Sequence, residues 1–92
     1  MYLTLKKAVK SEIKRIEAAY MYFGAFPGLK FICDYAEKLR FAHDDNDHFN
    51  CHHCPLLKKY HVVCRSISEY KDVNNHFTIN NKNAFIKILE SL

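Results

Sequence analysis

Apolar side chains recur at Leu5, Val9, Ile13, Ile16, Tyr20 and Phe23, at intervals of four, four, three, four and three. That spacing traces one face of an α-helix starting near Thr4. Lys6, Lys10 and Lys14 occupy a neighbouring face at i, i+4 and i+8. Pro27-Gly28 interrupts the pattern; Leu29, Ile32, Ala36 and Leu39, flanked by Cys33 and Tyr35, then predict a second amphipathic helix ending near Ala42. Two antiparallel helices are the economical arrangement. Residues 43–50, HDDNDHFN, are polar, aperiodic and rich in turn formers, so a loop is expected. Pro55 suits a first helical position, and Leu57, Tyr60, Cys64, Ile67 and Lys71 continue a stripe with Leu56, Val63 and Tyr70 beside it, which predicts a third helix. Residues 72–83, rich in asparagine, read as a turn with HFTI at 76–79 as a short extended piece. Lys82 to Leu92 closes with a helix whose stripe is Phe85, Ile88, Leu89 and Leu92. The predicted fold is all-α: one domain over residues 1–92, a small bundle of about four short helices with a metal-binding turn between the second and third.

Composition narrows the class. A chain of 92 residues with 49% hydrophobic and 14% aromatic content can build a core, yet is near the size at which a staple matters. The start, MYLTLKKAVK, has no apolar leader segment, and the longest apolar run, Ala18 to Leu29, is broken by Pro27-Gly28 and falls short of the ~20 residues that span a bilayer. A cytoplasmic chain with no membrane segment is expected. In that reducing setting Cys33, Cys51, Cys54 and Cys64 point to metal or redox use rather than disulfides.

The window HFNCHHCPLLKKYHVVC, His48 to Cys64, holds three cysteines and four histidines. Cys51-x-x-Cys54 is its strongest feature, because two thiolates at that spacing reach one tetrahedral ion from a tight turn. A thioredoxin-like redox pair is the rival, but it calls for a buried strand before the motif, and DDNDHFN stands there instead. Zinc needs two further ligands. In the first arrangement residues 51–57 form a knuckle-like turn, the helix starts near Lys58, and His61 and Cys64 share its first turn, giving Cys51, Cys54, His61 and Cys64. In the second, Pro55 starts the helix, His43 and His48 complete the shell with His52 or His53 as substitutes, and Cys64 is a buried small hydrophobe.

A third arrangement uses all four cysteines. A distant cysteine, then C-x-x-C followed by Pro55, then another cysteine in a short helical chain resembles the WhiB-like iron–sulfur regulators of transcription. The likeness covers the cysteine layout and the Cys54-Pro55 step; the last interval is longer here, and the Gly/Trp-containing turn of that family is absent. The resemblance implies an iron–sulfur cluster on Cys33, Cys51, Cys54 and Cys64, with binding to a sigma factor or DNA. The residues themselves also allow Cys33 to fill the core and His43 to cap the second helix.

Net charge is +4, unevenly placed: residues 43–54 carry Asp44, Asp45 and Asp47 and no Lys or Arg, between two basic arms. Lys6, Lys10, Lys14 and Arg15 form the best candidate nucleic-acid face, with a solvated helix surface as the plain alternative. Tyr22, Phe26, Phe31 and Phe41 lie off the main stripes and are the candidate partner-binding face or homodimer seam, or else pack on the last helix. With no H-E-x-x-H, G-x-S-x-G or phosphate cradle, catalysis is reduced to a zinc hydrolase with an open coordination position. The sequence thus reads as a zinc-binding helical adaptor or regulator that binds a protein, ahead of a transcription-linked nucleic-acid binder that carries zinc or an iron–sulfur cluster.

Overall fold

The computed structural model describes residues 4–42 and 53–92. Among the described residues five α-helices run in the order α1 Leu5–Tyr22, α2 Phe31–Ala42, α3 Pro55–Tyr60, α4 Ser68–Asn75 and α5 Ile79–Glu90, with a 3-10 turn at Cys64–Ser66 between α3 and α4. No described helix is long and apolar enough to cross a membrane. The expected loop at 43–50 lies outside the described residues.

Helix α1 starts where Thr4 Oγ1 accepts from the Lys7 N–H at 3.2 Å. It stops where Gly24 takes a left-handed φ of +68° and returns its N–H to the Ala19 carbonyl at 2.8 Å. The chain then folds back along α1. Arg15 donates to the carbonyls of Pro27 and Gly28, each at 3.0 Å, and Glu12 accepts from the N–H groups of Lys30 and Ile32 at 2.7 and 3.2 Å. Those contacts place the start of α2 beside the middle of α1, and α1 continues for several turns past that point.

The face that α1 buries differs from the predicted stripe. Ala8, Glu12, Ile16 and Ala19 are buried, whereas Val9 and Ile13 are half-buried and Phe23 is 81% exposed. The cause is Glu12. Its carboxylate satisfies the orphan amides at the head of α2, which turns the row through Ala8 and Ala19 inward, and alanine side chains permit close approach.

Helix α3 is short because His61 ends it. His61 adopts φ +60°, and its N–H bonds to the Leu57 carbonyl at 2.7 Å. The predicted third helix from Pro55 through Lys71 is therefore two helices and a 3-10 turn. The expected turn at 72–83 is corrected as well: α4 runs to Asn75 and α5 begins at Ile79, leaving three residues between them. Asn81 explains the compact join, since its side-chain amide donates to the carbonyls of Asp72 and His76 at 3.3 and 2.8 Å. Thr78 Oγ1 caps α5 by accepting from the Asn81 N–H at 3.2 Å.

The core joins Ile16, Ile32, Leu56, Val73, Phe85 and Leu89, all essentially inaccessible, with Ala8, Ala36, Cys54 and Ile67. Each large member contributes about 1.5–3 kcal/mol on burial. Phe26, from the segment joining α1 and α2, sits edge-on to Tyr70, Phe77 and Phe85 at ring-centroid distances of 5.3, 5.9 and 5.7 Å. Tyr20 meets Phe77 at 5.5 Å, and Tyr70 meets Phe85 at 5.7 Å.

Candidate functional site

Of the first predicted metal set, Cys51 lies outside the described residues, as do His43, His48 and His52. Cys54 is the residue before α3 and belongs to the core cluster; His53 beside it is also buried, with its Nε2 enclosed. His61 is exposed on the left-handed cap, and Cys64 is a half-buried residue opening the 3-10 turn. The expectation that His61 and Cys64 share the first turn of a helix starting near Lys58 is corrected: Pro55 starts that helix, and His61 ends it. Cys54 and Cys64 are not joined by one continuous helix, because the chain leaves helical conformation after Tyr60.

Cys33 is exposed on α2, so it does not fill the core. Among the described residues no three of His, Cys, Asp or Glu are grouped closely enough to hold an ion. Cys33, Cys54 and Cys64 therefore do not gather as the four-cysteine cluster requires. Burial raises the Tyr70 phenol above 10.0, negative charge at Cys64 and, less strongly, at Cys33 adds to the rise, and Arg65 opposes it by its charge and by a hydrogen bond. Arg65 and Tyr70 also line an open hollow of about 330 Å³ with Lys71, Asn74 and Asn75.

The candidate nucleic-acid residues divide. Lys6, Lys10 and Lys14 are exposed along one row of α1. Arg15 leaves that surface: besides its two carbonyl contacts it reaches Glu12 Oε2 at 3.3 Å.

The candidate partner residues divide too. Phe26 and Phe31 pack against the core, while Tyr22 and Phe41 are 76% and 64% exposed. Tyr22 ends α1 and stands in sequence between Met21 and Phe23, which are 74% and 81% exposed.

Sequence reasoning missed a groove of about 580 Å³ between α1 and α5, lined by Leu5, Lys6, Val9, Lys10, Ile13, Leu89, Glu90 and Leu92. The signal was present as the Leu5, Val9, Ile13 stripe, which read as core. Comparison of the chain with family models, curated proteins and solved structures gave no match.

Proposed function

We propose that the chain is a small helical adaptor or regulatory module that acts by binding a protein partner, with a structural zinc ion holding the segment before α3. The binding reading is carried by the consecutive exposure of Met21, Tyr22 and Phe23, at 74%, 76% and 81%, where α1 runs past the start of α2. Three large apolar side chains in a row lose free energy in water and regain it against an apolar partner surface.

The zinc reading rests on donor chemistry. Cys54 and His53 lie buried next to Cys51 and His52 in sequence, and thiolate and imidazole are the donors that zinc takes in tetrahedral sites. Since the described residues supply no trio, a closed four-ligand shell draws at least two ligands from residues 43–52, where Cys51, His43, His48 and His52 are the nitrogen and sulfur donors. Bound there, the ion contributes folding energy.

Affinity capture from native extract by the wild type and by a Tyr22→Ser, Phe23→Ser variant, with elemental analysis of both, tests the two halves. A protein retained by the wild type and lost from the variant, at equal zinc content, is the expected result. Equal recovery by both overturns the docking role of this end. Metal-free protein that stays folded in strong chelator, or zinc retained after Cys51→Ser and Cys54→Ser, overturns the ion.

Nucleic-acid binding is the second reading, and the exposed row Lys6, Lys10 and Lys14 favours it. Duplex DNA retardation that fades with salt and is lost on Lys10→Glu with Lys14→Glu would support it.

A further inference from the structure

We infer that the groove between α1 and α5 docks an amphipathic helix of a partner protein, acidic along the edge that meets α1. This inference rests on the reading of the chain as a protein-binding module and adds to it the place and the partner's chemistry.

The groove exists because α1 turns its alanines and Glu12 inward. Leu5, Val9 and Ile13, bulky residues at i, i+4 and i+8, are thereby left half-buried as one wall. Leu89 is the inaccessible floor, and Leu92 stands on the far side. The three wall residues span ~12 Å of helix axis, which matches the repeat of anchors that an amphipathic helix lays into an apolar groove.

Charge fixes the occupant. Exposed Lys6 and Lys10 line the α1 lip, and Lys14 continues their row beyond it; Glu90 stands on the α5 side. A helix with Asp or Glu beside its apolar row meets those lysines, while its opposite edge is neutral or basic toward Glu90. A purely apolar or basic segment would leave the lysines uncompensated or repelled. The hollow beside Arg65 and Lys71 is a poorer ligand site despite its two cations, because Asn74 and Asn75 put the negative end of α4 against it.

The test uses the full chain and three synthetic peptides of equal length: an amphipathic helix with Leu anchors and a Glu edge, the same peptide with Lys replacing Glu, and a scrambled control. Binding is read by fluorescence anisotropy and by amide chemical shifts. The Glu-edged peptide is expected to bind, shifting Leu5, Val9, Ile13 and Leu92, and to bind about tenfold more weakly to Lys6→Glu with Lys10→Glu. Both lysines are exposed, so circular dichroism of that variant should match the wild type. No preference for the Glu edge over the Lys edge, or shifts confined to Met21–Phe23, overturns the groove. Duplex DNA shifting the same groove residues at lower concentration than the peptide, or dimers that disappear on the lysine reversal, also overturns it by giving the surface another occupant. Failure of the groove with Tyr22- and Phe23-dependent capture intact rejects this inference alone; failure of both rejects the protein-binding module.

Discussion

Glu12→Ala is the change that most directly challenges the physical account of this fold. The Glu12 side chain is inaccessible; Oε1 accepts from the Lys30 and Ile32 amides at 2.7 and 3.2 Å, and Oε2 meets Arg15 at 3.3 Å. A hydrogen bond to a charged acceptor contributes about 1.5–3 kcal/mol, and loss of a helix cap alone costs about 1 kcal/mol. The two amide bonds form one cap and do not simply add. The Arg15 pair adds less than about 1 kcal/mol, because the Arg15 side chain is 31% exposed and screened by water. Alanine should therefore cost about 3–4 kcal/mol, a large part of the stability of a domain this size. At roughly 4–8 °C per kcal/mol, the melting temperature should fall by at least ~12 °C in a thermal scan followed by far-ultraviolet circular dichroism. Glu12→Gln keeps one acceptor oxygen and should cost roughly half as much. A drop of less than about 3 °C for the alanine variant would refute the interhelical cap as a main support of α2.

Phe85→Ala should destabilise by about 3–5 kcal/mol in urea unfolding, whereas Phe41→Ala, at an exposed site, should stay within about 0.5 kcal/mol. His61→Gly should raise the melting temperature by a few degrees, since glycine adopts the observed φ of +60° without a Cβ clash; loss of bound metal in that variant would identify His61 as a ligand. Ultraviolet titration should place the Tyr70 phenol above 10.0, with Cys64→Ser moving it back down; a wild-type titration at 10.0 would contradict the packing described. Because the folded chain favours the neutral phenol, Tyr70's contribution to stability is complete below the unfolded value near 10 and is lost as pH rises through the higher folded value.

Helix existence was legible wherever apolar spacing and a punctuating residue agreed. Pro27-Gly28 and Pro55 marked real boundaries, and Ile32, Ala36, Phe85 and Leu89 are buried as their stripes required. Three features were not legible, each for a physical reason. The inward face of α1 is set by a carboxylate whose partners lie about 20 residues away, so local periodicity chose the bulkier row. The break at His61 depends on a left-handed conformation in a residue with no strong preference for it. The asparagine-rich stretch looked like a loop because Asn is a poor helix former, yet Asn81 spends its side chain on the end of α4 while its backbone sits in α5. At the candidate site, residue types were readable but placement was not: Cys54 is buried in the core while Cys33 is exposed on α2, a difference that cysteine spacing does not encode.

The edge-to-face rings contributed by Tyr20, Phe26, Tyr70, Phe77 and Phe85 come from both ends of the polypeptide. Helices form from neighbours in sequence, but this knot closes only when distant segments meet, so the chain should fold more slowly than its helical content suggests. With no tryptophan present, near-ultraviolet dichroism from Tyr20 and Tyr70 becomes a built-in clock for that closure, rising after the helical signal in a stopped-flow experiment.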